Sequence, residues 1–122
     1  MEPLSVMIVD DEPLIRWSVR THLERVGFLV IEAGSGRQAL DRFSDEVGLA
    51  LVDLRLPDTD GLTLIDRLKS RLPDCPVILM TASASPEVHR KARTAGAIRV
   101  VDKPFDLQAL TAMIRSAQNG AG

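Results

Sequence analysis

The sequence predicts one α/β domain, an open parallel sheet doubly wound by helices on both faces. Three observations carry that reading. Five short apolar runs are bounded by charged or turn-forming residues, as strands buried on both faces are. Five stretches with apolar residues at helical spacing alternate with them. The length of 122 residues fits a single core and leaves no repeat or low-complexity tract to explain. Alternation of this kind implies parallel strands joined by right-handed crossovers.

In order, the first strand is residues 6–9, ended by Asp10, Asp11 and Glu12. Pro13 suits the first turn of a helix, and Ile15, Val19, Leu23 and Val26 recur until Gly27 stops it. Residues 28–31 form the second strand. Ser35 with Gln38 is a capping-box start, and Ala39, Leu40 and Phe43 give that helix its apolar stripe. The third strand, residues 49–52, stops at Asp53. After the turn at residues 57–61, Leu64, Ile65, Leu68 and Leu72 mark a third helix. Residues 77–80 are the fourth strand, ended by Thr81. Ser85 and Pro86 open a fourth helix that Gly96 closes. Its core stripe is thin, Val88 and small alanines, so it is expected to be the most mobile helix. Residues 98–101 are the fifth strand, ended by Asp102, Lys103 and Pro104. A last helix starts near Asp106, with Leu107, Leu110, Met113, Ile114 and Ala117 inward. Residues 1–118 read as the domain and 119–122 as a tail or the start of a linker.

Composition excludes several classes. A net charge of −2 lacks the basic excess of a dedicated nucleic-acid surface. Cys75 is the only cysteine, so neither an internal disulfide nor a thiolate metal cluster can form. No apolar run approaches the ~18–20 residues that cross a bilayer, and the acidic residues at 10–12 cut short any secretory signal. A cytoplasmic location is the expectation. His22, His89 and Trp17 are read as surface histidines and a packing residue.

In an open α/β sheet, ligands bind beyond the carboxyl ends of the strands. Asp10 and Asp11 leave the first strand there, Asp53 the third, Thr81 the fourth and Lys103 the fifth. Carboxylates meeting at one rim repel, by about 1 kcal/mol per pair at ~4 Å in water and about 4 at an effective dielectric of 20. A hard divalent cation bound by oxygens relieves this, and magnesium usually takes one or two carboxylates, waters and a phosphate. Lys103 suits a phosphoryl oxygen, and an aspartate can itself be the nucleophile that forms an acyl phosphate.

These residues, in Val9-Asp10-Asp11-Glu12, Asp53-Leu54-Arg55-Leu56-Pro57 with Asp60-Gly61, Thr81-Ala82, Gly96-Ala97 and Lys103-Pro104-Phe105, make the chain resemble the receiver domain of two-component response regulators over nearly its whole length. The resemblance implies a flavodoxin-like sheet with strand order 2-1-3-4-5, and a phosphoacceptor switch rather than an enzyme. Asp53 would take a phosphoryl group from a phosphohistidine on a sensor histidine kinase. Asp11, Asp53 and the Arg55 carbonyl would bind Mg²⁺, with Asp10 assisting, while Thr81 and Lys103 contact the phosphoryl oxygens. Arg55 and Ser83 flank the site and are expected to tune the acyl phosphate's lifetime. The Lys103–Pro104 bond is often cis in such domains. The changing face would be the fourth helix, fifth strand and fifth helix, also the expected homodimer surface. Pro13-Leu14-Ile15-Arg16-Trp17 resembles receivers placed ahead of the ATPase modules of sigma-54-dependent enhancer-binding activators, which makes a transcriptional output the expectation. No output segment lies within the 122 residues, which read as a fragment of a longer regulator or a stand-alone receiver. Receivers commonly carry Tyr or Phe three residues before the lysine. Val100 stands there, so weaker or differently routed switching is expected, without a large rearrangement of the fourth helix.

Three rivals compete. Gly34-Ser35-Gly36-Arg37-Gln38-Ala39 matches the G-x-G-x-x-A dinucleotide fingerprint, but it follows the second strand, and a helix cap already accounts for it. A haloacid-dehalogenase-like phosphatase needs an acid two residues after its nucleophile, where Arg55 stands. A degenerate docking module would not need five intact site positions.

Overall fold

Every residue of the central strand is buried, and the rest of the sheet is built outward from it. In the computed structural model, which describes residues 3–119, the chain runs β1 (Ser5–Val9), α1 (Pro13–Arg25), β2 (Leu29–Ala33), α2 (Gly36–Arg42), β3 (Leu49–Asp53), α3 (Gly61–Arg71), β4 (Val77–Thr81), α4 (Pro86–Ala95), β5 (Arg99–Asp102) and α5 (Leu107–Gln118). All pairings are parallel, in the order β2-β1-β3-β4-β5. The doubly wound reading is borne out.

The period of two along each strand divides the core. Met7, Val9, Ala50, Val52 and Leu79 face Ala39, Leu64, Ile65, Leu68 and Ala92 of α2, α3 and α4. Val6, Ile8, Leu49, Leu51, Ile78 and Met80 face Val19, Leu23, Leu110 and Ile114 of α1 and α5. Two-sided burial is why β1, β3 and β4 carry four apolar residues in a row instead of alternating. β3, β4 and β5 end on the polar residues Asp53, Thr81 and Asp102, and polar caps, Ser35, Asp60, Ser85 and Asp106, precede α2 to α5. Ser85 accepts from the Val88 N–H at 3.2 Å to start α4, and Gly96, at φ +111°, ends it in the left-handed conformation that favours glycine. Asp106 starts α5 by accepting from the Gln108 and Ala109 N–H groups.

Several expectations shift. The second strand was placed at residues 28–31, but β2 runs Leu29–Ala33 in register with Ser5–Val9. As an edge strand it tolerates Glu32, whose carboxylate meets Arg16 and Arg20, while Phe28 precedes it under the Arg115 guanidinium. The capping box around Ser35 is displaced by one residue: Gln38 N–H donates to Ser35 Oγ, but Gln38 Oε1 accepts from Gly34 N–H. Trp17 is not a packing residue; it is 65% exposed, beside Leu14 on α1. Val26, assigned inward, is 37% exposed, because α1 ends at Arg25 and the chain turns at Gly27. His22 is half-buried rather than a plain surface histidine. The Thr111 hydroxyl spends its only proton on the Leu107 carbonyl, so His22 Nε2 donates to Thr111 Oγ1 at 3.0 Å, tying α1 to α5. The expected tail at residues 120–122 lies outside the described residues. No helix among the described residues is long and apolar enough to cross a membrane.

Candidate functional site

At the carboxyl ends of β1, β3, β4 and β5 lies a cleft of about 550 Å³ lined by Asp11, Glu12, Asp53, Arg55, Thr81 and Lys103. The Lys103 ammonium sits at its centre. Its Nζ lies 2.6 Å from Asp10 Oδ2, 3.2 Å from Asp53 Oδ2 and 3.7 Å from Glu12 Oε1. Asp10 is completely buried, and its other oxygen accepts the Glu12 N–H at 2.9 Å, fixing the turn that carries Asp11. The Lys103 N–H donates to the Thr81 carbonyl at 2.8 Å, so β4 sets where the lysine starts. The Lys103–Pro104 peptide is cis. Thr81 is nearly buried, and its Oγ1 accepts the Ser83 N–H at 3.1 Å.

Burial pushes the Asp53 carboxyl up from its ordinary pKa, and the negative charge of Asp10 adds to the push; Lys103 and the Arg55 N–H oppose it without cancelling it. Burial works against the Lys103 charge too, but Asp10 and Asp53 outweigh it and hold the ammonium above its usual value. Asp10, Asp11, Glu12 and Asp53 bring more carboxyl groups to this end of the sheet than the Lys103 ammonium neutralises. Carboxylate oxygens of Asp10, Asp11 and Glu12 lie within 4.8 Å of one another. An all-oxygen donor set short of positive charge fits a hard divalent cation such as Mg²⁺.

The loop after Asp53 is held at several points. Leu54 N–H donates to Met80 O, Arg55 bridges to Asp60, and Gly61 N–H donates to Leu54 O at 2.6 Å. A Cβ at Gly61 would lie 2.3 Å from the Asp53 carbonyl oxygen, so only glycine lets α3 begin this close to the site. Asp60 caps α3 through the Thr63 N–H and hydroxyl. Asp58 reaches across to α2, accepting from the Gly36 and Arg37 N–H groups at 2.9 Å each. The N–H groups that the dinucleotide fingerprint would turn toward a pyrophosphate thus already hold an anion of this chain. Those two donors, Gly36 foremost, draw the Asp58 carboxyl below its usual pKa. Its contribution to stability is therefore present above the ordinary carboxylate pKa of 3.8 and lost as pH falls through the lowered value. Asp58→Ala is expected to lower unfolding free energy by about 1 kcal/mol near neutral pH, with the difference from the parent vanishing in strong acid, as urea titrations at several pH values will show.

The structure brings Asp10 and Asp53 each into contact with Lys103 and lines one cleft with Asp11, Asp53, Arg55, Thr81 and the same lysine. The sequence alone assigns no separate role to Glu12, although it stands next in the acid run, and none to Asp58, whose partners lie 21 and 22 residues earlier.

A doubly wound sheet with buried acids and one lysine at its strand ends belongs to the class of α/β proteins that can hold a phosphoryl group over a carboxylate. Within that class the chain belongs to the response regulator receiver domain family, which it matches over residues 6–115. It is 38% identical over 113 residues to regulatory protein AtoC of Escherichia coli, covering 92% of this chain and 24% of that protein. It is 35% identical over 114 residues to a cyclic di-GMP phosphodiesterase of Thermotoga maritima, covering 93% and 31%. The chain therefore spans 24% and 31% of the length of these curated relatives. The solved structure of a CheY-like response regulator receiver domain protein from Methanospirillum hungatei superposes with a TM-score of 0.93 at 29% identity, covering 98% of this chain and 97% of that one.

Proposed function

We propose that Asp53 accepts a phosphoryl group from the phosphohistidine of a sensor histidine kinase. An Asp53 carboxylate oxygen bonds to phosphorus while the P–N bond breaks, and the imidazole nitrogen keeps the electron pair. The observation that carries this reading is Lys103 Nζ lying between Asp10 Oδ2 and Asp53 Oδ2, which puts a cation beside the one acid at the end of the central strand.

Asp11, Asp53 and the Arg55 carbonyl would hold Mg²⁺, with Asp10 assisting; the bound ion supplies charge neutralisation for the carboxylates and the incoming phosphoryl group. Lys103, already desolvated in the cleft, then has a phosphoryl oxygen to bind as well as a carboxylate. The Thr81 hydroxyl, held by Ser83 N–H, donates to another phosphoryl oxygen when it turns inward. Arg55 and Ser83 stand at the mouth and tune how fast water reaches the acyl phosphate. The chain is a switch, not a turnover enzyme.

The output is proposed to be transcriptional, through the face of α4, β5 and α5, which also serves for pairing with a second copy, in the cytoplasm. Val100 of β5, partly buried against the core, occupies the place of the usual ring, so switching is routed with less movement of α4. Residues 1–118 are the functional unit.

Mass spectrometry after incubation with Mg²⁺ and acetyl phosphate tests the reading. The parent is expected to gain one phosphoryl group and Asp53→Asn none. Equal labelling of both proteins, or turnover of a generic phosphate ester, would overturn it.

A further inference from the structure

Two features of the sequence remain outside the proposed chemistry: the segment Pro13–Trp17 and the glycines of the false fingerprint. They meet at one side chain. Arg16 of α1 is four-fifths buried, and its Nη1 donates to the Asp10 carbonyl at 2.6 Å while its Nε donates to Glu32 at 3.1 Å. A Cβ at Gly34 would lie 3.2 Å from that same Nη1, so the glycine leaves room for the guanidinium. Asp10 is thereby held along its main chain from both sides, since its own N–H donates to the Ala33 carbonyl at 3.0 Å.

We propose that Arg16 is a positioning residue for the acid turn, fixing the Asp10–Asp11 peptide and with it the direction in which Asp11 presents its carboxylate. Lys103 neutralises the acids by occupying carboxylate oxygens. Arg16 meets the same turn through a main-chain carbonyl, with its own charge answered by Glu32, and so consumes no ligand oxygen. Its two donors must point at Glu32 and at Asp10 together, which the planar guanidinium does and an ammonium does not. Arg20 provides the control, because it binds Glu32 at 2.7 Å from one turn further along the helix.

The inference rests on the Mg²⁺-dependent phosphoacceptor reading, and titration calorimetry with Mg²⁺ separates the two. Arg16→Gln is expected to weaken Mg²⁺ binding about tenfold, and Arg20→Gln to leave it within about twofold. Arg16→Lys, which carries the test should the glutamine variant not fold, is expected to lose about threefold. In the metal-free protein the Asp10 carbonyl ¹³C resonance should move in the Arg16 variants and stay in Arg20→Gln. Parent-like affinity in the Arg16 variants, or an equal loss in Arg20→Gln, overturns the inference alone. A parent that binds no Mg²⁺ overturns the phosphoacceptor reading and the inference with it.

Discussion

Lys103→Met is expected to destabilise the metal-free protein by about 3 kcal/mol, the largest effect of any single substitution in the cleft. The lysine is the common partner of a fully buried Asp10 and a nearly buried Asp53, and its own side chain is 12% exposed. Methionine preserves most of the stem's packing, so the loss reports the two stranded carboxylates rather than a cavity. The pH dependence carries a sign. Because Asp10 and Asp53 hold the ammonium above its ordinary value against the effect of burial, its contribution is complete below about pH 10.5 and lost as pH rises through the raised pKa. The parent should therefore weaken in alkali where Lys103→Met does not. Adding Asp53→Asn to Lys103→Met should recover part of the loss, since one of the stranded charges goes with it. Urea unfolding of the two single variants and the double variant measures all three quantities. A loss below about 0.5 kcal/mol, the range of an exposed ion pair, would mean that water reaches the acids and that the lysine is not their counter-ion.

How much of this was legible beforehand depends on whether a contact is local. The three inner strands, β1, β3 and β4, could be read because burial on both faces makes them nearly continuous apolar runs, and each run stops where the first polar residue must reach the rim. That is why Asp10, Asp53 and Thr81 were identifiable as strand-end groups, while Lys103 follows the short, half-exposed edge strand β5. The other edge strand, β2, is less legible: Glu32 breaks the apolar run, yet it belongs to β2 because arginines on α1 satisfy it. In the turn at residues 57–61, both aspartates looked like ordinary turn formers. Asp60 caps the next helix, which its spacing to Thr63 allows, but Asp58 caps a helix that comes before it, and no spacing rule reaches backward across a strand. Gly61 likewise read as punctuation, whereas its reason is the Asp53 carbonyl close beside it. Trp17 misleads because a large apolar side chain does not by itself say whether a neighbour covers it.

Asp53→Asn is expected to raise the stability of the metal-free protein near neutral pH by about 1 kcal/mol, roughly 3–5 °C in melting midpoint for a domain of this size. Burial, and then the charge of Asp10, make the folded state hold the Asp53 proton more tightly than the unfolded chain does. The neutral carboxyl therefore favours folding, and that advantage is fully present below the unfolded pKa near 3.8. It disappears as pH rises through the raised folded value, after which the ionised side chain is a net burden despite its contact with Lys103. Asparagine keeps the shape and drops the charge, so its benefit should grow over that same window and vanish in acid. Mg²⁺ inverts the comparison. It should raise the parent's midpoint by binding the folded state and raise the variant's less, because one ligand carboxylate is gone. Scanning calorimetry of both proteins across pH, with and without Mg²⁺, reads each of these signs. A variant that melts no higher than the parent in chelator at neutral pH would show that Lys103 fully neutralises Asp53, and the charge surplus on which cation binding rests would be absent.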